Sequence, residues 1–178
     1  MLNRSFIHFP GIGPKRERDL WKRNIVDWQS FIDRLSEGGM NSRTYERAGS
    51  CAHDSLRALS VRDVGFFRDS LPRSEMWRLY PEFMDECLFI DIETAGFSPW
   101  LHELTVIGCF GHGRFCFFVQ GINLGRFADY VRRFPILVSF NGTQFDLPFL
   151  EAHFPHTDFR MAHIDIRFVC ESLGFRGG

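Results

Sequence analysis

Apolar residues are spaced differently in the two parts of this chain. Up to about residue 81 they recur three or four positions apart, as Trp28, Phe31 and Leu35 do, which is the spacing of an amphipathic helix. From about residue 82, short apolar runs typical of buried strands alternate with helical stretches. The pattern therefore predicts a small helical N-terminal region followed by an α/β domain.

We divide the chain into three regions, 1–40, 41–81 and 82–178. The run Glu37-Gly38-Gly39 breaks the helical pattern and separates the first region from the second. Pro72 interrupts the helical pattern of the second region, so we expect at least two helices in this connecting segment.

Two helices are expected before residue 40. Pro14 suits the first position of a helix over 15–21, in which Leu20 and Trp21 would pack inward. Asp27 is a favourable N-cap residue, and it precedes a second helix that carries the apolar stripe beginning at Trp28.

The third region is predicted to hold five strands and three helices. Gly111-His112-Gly113 forms a hairpin turn between the second and third strands. Three strands followed by alternating helices and strands predict a mixed sheet flanked by helices. The expected strands cover 87–94, 104–110, 115–119, 136–140 and 162–166. The expected helices cover 124–133 and 144–153, and a last one begins near 167.

Composition and charge limit how this protein could bind a partner. Of the 178 residues, 44% are hydrophobic and 24% are charged, which is ordinary for a globular protein. The formal net charge is −1, so the chain as a whole does not attract nucleic acid. Any binding of nucleic acid would therefore depend on local basic patches.

The cysteines and the N-terminus bear on the compartment. Five scattered cysteines without a Cys-x-x-Cys pair indicate free thiols in a reducing compartment. Cys109 and Cys116 could face each other across the hairpin, and free thiols are the favoured prediction there too. The N-terminus lacks the apolar stretch of a signal peptide, and no segment has the length of a membrane span. We expect a soluble cytoplasmic protein that does not bind membranes.

Two acids lie at the end of the first predicted strand. Asp91 and Glu93 are two residues apart, so both side chains leave the same face of the sheet. Ionised carboxylates are costly in so apolar a strand unless a cation neutralises them, and carboxylate oxygens are preferred ligands of Mg²⁺ and Mn²⁺. The alternative is that both acids end the strand and face solvent.

A third acid follows the fourth predicted strand. Asp146 falls in the first turn of the next helix, which Phe145 and Phe149 would anchor to the sheet. Asn141 and Gly142 at the turn between strand and helix permit a close approach of the backbone to a ligand. This second element favours a metal site over solvent-facing acids.

Together these two segments carry a family resemblance. Asp91-x-Glu93, followed by Asn141-Gly142-x-x-Phe145-Asp146, resembles the first two motifs of the DEDD exonuclease superfamily. Within it, the chain is similar to the YprB-type ribonuclease-H-like domains, which are related to the proofreading domain of family B polymerases. The resemblance runs from about Trp77 to the C-terminus and includes the segment from His163 to Arg167.

The resemblance implies an RNase-H-like α/β fold and a metal-dependent 3′–5′ exonuclease that uses two Mg²⁺ or Mn²⁺ ions. Asp91 would bridge both ions, Glu93 would bind one ion and orient the attacking water, and Asp146 would hold the other. The implied substrate is DNA or RNA with single-stranded 3′ ends, and Asn141 would be among the residues that contact it.

Enzymes of this kind also use a fourth acid, in a third motif with Tyr or His four or five residues before it. We assign no such pair after Asp146, and His163 and Asp165 are poor substitutes because they are only two residues apart. We therefore expect the motif to lie beyond Gly178 and this chain alone to be an impaired nuclease. A non-catalytic nucleic-acid-binding or interaction module with the same fold is the competing prediction.

The N-terminal region offers a second candidate site. Gly11 and Gly13 flank one apolar residue just before the first helix, and Lys15 and Arg16 follow. This arrangement resembles the hairpin of a helix-hairpin-helix module, which presents backbone N–H groups and basic side chains to a phosphate. A turn that only packs the N-terminal helices is an equally weighted alternative.

Overall fold

The computed structural model describes residues 2–40 and 42–175. In it the chain separates into an N-terminal unit, Met1–Glu82, and a C-terminal unit, Phe83–Gly178. Each unit has a hydrophobic interior of its own residues, and each is described here by itself. None of the described helices combines the length and apolar character that a membrane crossing requires.

The N-terminal unit is helical, and side-chain caps set where its helices begin. Asp27 and Ser30 form a reciprocal capping box, while Ser42 and Asp63 each accept a backbone N–H of the helix that follows them. The helices are α1 (Pro14–Lys22), α2 (Trp28–Ser36), α3 (Arg43–Ser60), α4 (Val64–Ser70) and α5 (Tyr80–Phe83), whose last residue belongs to the C-terminal unit. Short 3₁₀ helices cover Leu2–Arg4 and Arg73–Leu79.

One packing prediction for α1 is wrong. Leu20 is buried as expected, but Trp21 is 39% exposed and its indole Nε1 donates to the carbonyl of Arg4 at 3.0 Å. Successive residues of a helix point about 100° apart, so both could not face the same interior. The second inward position of α1 belongs instead to a charged residue, Glu17, which is 2% exposed.

A buried ion pair accounts for the position of Glu17. Its carboxylate pairs with both terminal nitrogens of Arg78, at 2.9 and 3.0 Å. It also accepts the backbone N–H groups of Phe6, at 2.6 Å, and Ile7, at 3.1 Å. A buried charge is tolerated when it is paired and fully hydrogen-bonded. Through this carboxylate the N-terminal segment, α1 and the 3₁₀ helix that contains Arg78 are joined.

The C-terminal unit contains a mixed sheet of five strands in the order β3-β2-β1-β4-β5. β1 pairs antiparallel with β2 and parallel with β4, β2 pairs antiparallel with β3, and β4 pairs parallel with β5. The strands are β1 (Cys87–Thr94), β2 (Leu104–Gly111), β3 (Arg114–Val119), β4 (Ile136–Ser139) and β5 (Ala162–Asp165). The helices are α6 (Phe127–Val131), α7 (Asp146–His153) and α8 (Ile166–Ser172), with 3₁₀ helices at Met84–Glu86 and Leu124–Arg126.

The predicted α/β fold class, a mixed sheet flanked by helices after a helical N-terminal region, is confirmed. One face of the sheet contributes Leu88 and Ile90 to a core cluster that also contains Phe127 of α6 and Phe149 of α7. The period-two alternation of β1 explains this, because every second residue points into the core. The other face of β1 carries Cys87 and Phe89 and then, toward the C-terminal end of the strand, Asp91 and Glu93.

The predicted hairpin between β2 and β3 places Cys109 directly opposite Cys116. Both thiols are free, as expected, and burial raises the pKa of the Cys109 thiol to about 12. A thiol with so high a pKa stays protonated and behaves as a small apolar side chain of the core.

The buried ion pair of the N-terminal unit yields a stability prediction. Arg78→Met leaves the Glu17 carboxylate buried without its partner, so it should lower the free energy of unfolding by about 3 kcal/mol. Arg57→Met is the control, because Arg57 pairs with Asp54 at 3.5 Å on the surface and its loss should cost less than about 1 kcal/mol. Denaturant unfolding of both variants measures the difference, and equal costs would contradict the structural role given to Arg78.

Candidate active site

Asp91 and Glu93 lie on the face of β1 that points away from the core cluster. Their neighbours Ile90 and Ile92 are buried, whereas both acids are exposed. Asp91 is in register with Gly108 of β2, and the ring of Phe117 lies 3.8 Å from the position that a Cβ of this glycine would take. The register between β1 and β2 shifts immediately afterwards, between Glu93 and Thr94. The two acids thus share one surface at the end of a central strand.

The turn between β4 and α7 delivers the third acid. Asn141 has φ +61°, a left-handed conformation that asparagine adopts more readily than most residues. Gly142 follows, and a Cβ at that position would collide with the side chain of Ser139 and lie 3.4 Å from Oδ2 of Asp146. Only glycine therefore lets the turn pass this close, and the turn leads directly into Asp146 at the first position of α7.

Asp146 is a buried acid in an unfavourable electrostatic environment. Its side chain is 3% exposed, and this burial raises the pKa of the carboxyl to about 6 from an ordinary value of 3.8. The negative charges of Asp91 and Asp165 raise the pKa further, whereas backbone N–H groups, including that of Ile92, act in the opposite direction. The structure therefore brings Asp146 close enough to Asp91 for their charges to interact.

One oxygen of this carboxylate is left without a hydrogen-bond partner. Oδ1 of Asp146 is buried and accepts no hydrogen bond from any residue within 2–40 or 42–175. A buried unpaired acceptor beside a second carboxylate is the chemistry that a divalent cation satisfies, and Asp91 and Asp146 are suitable ligands for it. Over the same residues, no set of three or more His, Cys, Asp or Glu side chains is already arranged around a common metal position.

The segment from His163 to Arg167 ends β5 and begins α8, and its polar side chains form hydrogen bonds within the unit. Asp165 is 7% exposed, and its two oxygens accept backbone N–H groups of Asn141, Thr143 and Arg167. His163 interacts with the Ser139 hydroxyl at 2.8 Å and with the Thr143 hydroxyl at 3.4 Å. An acid directly before a helix is an N-cap signal that was available in the sequence.

The side chain of Asn141, expected to contact nucleic acid, is half-buried. Its Oδ1 accepts a hydrogen bond from Nη1 of Arg167 at 2.7 Å, and the same nitrogen donates to Gln144 at 3.2 Å. The amide oxygen of Asn141 is thus committed within the unit. Only its amide nitrogen could donate to a substrate.

The prediction that no third-motif pair follows Asp146 is wrong as far as spacing is concerned. His153 and Asp158 are five residues apart, which is the spacing of such a pair. The structure gives this pair other roles. Nε2 of His153 accepts the backbone N–H of Leu104 at 3.1 Å, and its Nδ1 lies 2.9 Å from the carbonyl oxygen of Phe149. Asp158 pairs on the surface with Arg160 at 3.0 Å. His153 also lies two helical turns, about 10 Å, beyond Asp146.

In the N-terminal unit the loop before α1 is exposed at Gly11, Gly13, Lys15 and Arg16. The guanidinium of Arg16 donates to the carbonyl of Gly11, which has φ +76°. Arg16 therefore holds the shape of its own loop, and Lys15 is the basic side chain that extends from it. Only the 3₁₀ helix Leu2–Arg4 precedes the loop among the described residues, so the helix-hairpin-helix assignment stays a prediction.

A feature that the sequence analysis omits is the loop between β1 and β2. Phe97 is 91% exposed and Trp100 is 82% exposed, although the loop is folded. Gly96 packs against the ring of His102, and Nδ1 of that ring accepts the backbone N–H of Ser98 at 3.2 Å. The Phe97 ring lies 6.5 Å from that of Phe145, the residue before Asp146. The exposed ring of Phe97 therefore lies near the residue that precedes the buried acid.

Comparison with known proteins agrees with this geometry. Residues 88–178, just over half of the chain, match the RNase_H_2 family model, which is described as part of the RNase H superfamily. The matched segment contains all three acids described above. No curated protein sequence shows a significant match to the chain.

The buried acid predicts how stability depends on pH. The folded-state pKa of Asp146, about 6, exceeds the unfolded value of 3.8, so stability that is present below the unfolded pKa is lost as pH rises through 6. Asp146→Asn removes this cost and should stabilise the protein at about pH 8 by on the order of 1–3 kcal/mol, with little gain at about pH 4. Thermal unfolding at both pH values measures it.

Divalent ions should also change the stability of the folded protein. Mn²⁺ should raise the melting temperature of the unmodified protein at about pH 8 and leave that of Asp146→Asn unchanged, because a ligand stabilises only the state that binds it. Asp158→Asn removes one negative charge from the same unit and serves as the control. Equal Mn²⁺ effects on all three proteins would exclude Asp146 as a ligand.

Proposed function

The chain belongs to the RNase H superfamily, and from this premise we propose that it is a metal-dependent nuclease that removes nucleotides from 3′ ends. Domains of this superfamily act on nucleic acids and generally use divalent metal ions. The finer assignment, a 3′–5′ exonuclease similar to YprB-type domains, is part of the proposal. It rests on the motif Asp91-x-Glu93 and the turn that leads into Asp146.

The observation that carries the proposal is the state of Asp146. The protein keeps a carboxylate buried, next to the charge of Asp91, with one oxygen that accepts no hydrogen bond from any of the described residues. An arrangement that costs stability and makes no internal hydrogen bond at that oxygen is typical of a functional site. A packing role for this residue would be served better by Asn or by an apolar side chain.

Mg²⁺ or Mn²⁺ held by Asp91 and Asp146 would supply an activated water and offset the charge that builds up on the phosphate oxygens. The three acids would have different roles around these ions. Asp146 is fixed by the start of α7, while Asp91 and the exposed Glu93 present carboxylate oxygens from one face of β1. Glu93 would accept the hydrogen bond that orients the water.

The aromatic loop provides a reason for preferring single strands. Phe97 and Trp100 are almost fully exposed and could stack on unpaired bases, each stack contributing about 1–3 kcal/mol. A net charge of −1 gives little general attraction for phosphates, so base stacking has to supply much of the affinity. Bases within a duplex are already stacked and would not be bound in this way.

The activity is tested on single-stranded DNA and RNA labelled at the 5′ end, with Mn²⁺ present. A ladder of products shortened one nucleotide at a time from the 3′ end is expected, at a low rate because no fourth acid is assigned to the site. Asp91→Asn and Asp146→Asn should each lower kcat by about a hundredfold or more, because each removes a carboxylate that would hold the metal ions. Asp158→Asn should have no effect.

The outcomes of this assay separate the two functions considered. Binding of the oligonucleotide without any Asp91-dependent hydrolysis would exclude the nuclease and support a non-catalytic nucleic-acid-binding module. Hydrolysis that survives in both Asp91→Asn and Asp146→Asn would place the chemistry elsewhere. A ladder that grows from the 5′ end, tested with the label at the 3′ end, would exclude the proposed polarity.

We further propose that the loop before α1 binds the phosphate backbone through the exposed backbone at Gly11 and Gly13 and the side chain of Lys15. Lys15→Glu should weaken oligonucleotide binding and lower the log–log salt slope by about one. Lys22→Glu makes the same change of charge at the other end of α1, where Lys22 faces Asp19 at 4.0 Å, and should have a smaller effect. Equal effects of the two substitutions would show that the loop is only structural.

A further inference from the structure

The turn that carries Asp146 is held by an acid from a neighbouring strand. Oδ1 of Asp165 accepts the backbone N–H of Asn141 at 2.8 Å and that of Arg167 at 3.1 Å, and Oδ2 accepts that of Thr143 at 3.1 Å. Because Asp165 ends β5 in register with Ser139 at the end of β4, its carboxylate meets the turn where it leaves the sheet. A carboxylate with three N–H donors forms strong, directional bonds.

Arg167 of α8 also binds the turn. Nη1 of Arg167 donates to Oδ1 of Asn141 at 2.7 Å and to Oε1 of Gln144 at 3.2 Å, while its Nε pairs with Glu171 at 3.0 Å. Asp165 is the N-cap of α8 and Arg167 lies in its first turn. The start of α8 therefore binds the turn in two ways. Asp165 accepts backbone N–H groups of the turn, and Arg167 donates to its side chains.

Two features of this turn favour a movement of Asp146 toward solvent if no other residue restrains it. Asn141 occupies a left-handed conformation, which is less favourable than ordinary backbone geometry for a residue that has a Cβ. Asp146 is repelled by Asp91 and loses hydration on burial, so it would lower its energy by turning toward water. Backbone N–H groups, including that of Ile92, act against that movement, but Oδ1 of Asp146 has no hydrogen-bond partner among the described residues that would oppose it further.

We infer that Asp165, supported by Arg167, is a positioning residue that holds the β4–α7 turn and thereby keeps Asp146 buried beside Asp91. The effect of Asp165 on catalysis rests on the proposed function. The hydrogen bonds by which Asp165 holds the turn are a property of the fold and do not. It assigns Asp165 a different role from that of a fourth metal ligand. Three N–H donors already occupy most of the about four lone-pair positions of this carboxylate, so little capacity is left for a metal ion.

Two substitutions at this position separate positioning from metal binding. Asp165→Asn keeps the size of the side chain and one oxygen, so it can retain the bonds to Asn141 and Arg167, but it loses the negative charge. Asp165→Glu keeps the charge and a carboxylate and moves its oxygens by one methylene. A positioning residue should tolerate Asn better than Glu, whereas a metal ligand should tolerate Glu better than Asn.

The expected result is a fall in kcat of about tenfold for Asp165→Asn and about a hundredfold for Asp165→Glu, with KM within about threefold of the unmodified enzyme. Arg167→Lys keeps the charge at a partly exposed position and should lower kcat about tenfold through loss of the second donor. Asp158→Asn, in the same unit, should leave kcat unchanged. Higher activity in Asp165→Glu than in Asp165→Asn, or no loss in any variant, would overturn the inference.

Amide hydrogen exchange tests the hold without reference to activity. Exchange at the Asn141 and Thr143 amides should be at least about tenfold faster in Asp165→Glu than in the unmodified protein, while the amides of β1 stay protected. Unchanged exchange at these two amides would overturn the inference even if the enzyme is active. If the unmodified protein hydrolyses nothing, the proposed function fails, and the exchange experiment alone decides whether Asp165 holds the turn.

Discussion

The C-terminal unit holds one carboxylate, that of Asp146, in a place that disfavours its negative charge. Asp146 is buried at the start of α7, faces the charge of Asp91, and has one oxygen that no described group satisfies. Gly142 allows the turn to approach Ser139, and Asp165 holds that turn from β5. The surrounding residues thus keep an unfavourable charge in position, which is what a preorganised metal site requires.

A comparison of the buried acids separates structural from functional roles. Glu17 is paired with Arg78 and accepts two backbone N–H groups, so it stabilises the N-terminal unit. Asp165 accepts three N–H groups and stabilises a turn. Of these three acids, only Asp146 has a buried oxygen without a hydrogen-bond partner in the described part of the chain. The number of satisfied acceptor positions, rather than burial, therefore identifies the acid that is available for a ligand.

Local patterns predicted most of the fold. Each predicted strand agrees with the observed strand to within one residue at either end, because a period of two and short apolar runs are properties of the strand itself. The helices were less regular, and the one expected over 124–133 begins as a 3₁₀ turn before α6. Trp21 was misplaced because a nine-residue helix has few inward positions, and the partner of Glu17 lies 61 residues away in Arg78.

The sequence by itself determined the element order, the α/β class and the common face of Asp91 and Glu93, since each depends on periodicity within one segment. The tertiary structure decided which acids are satisfied. Sequence spacing could offer His153 and Asp158 as a pair, or Asp165 as a ligand, but it does not contain the hydrogen bonds that commit His153 to Leu104 and Asp165 to the turn. Such bonds join residues far apart in the chain, so they exist only once the strands have assembled.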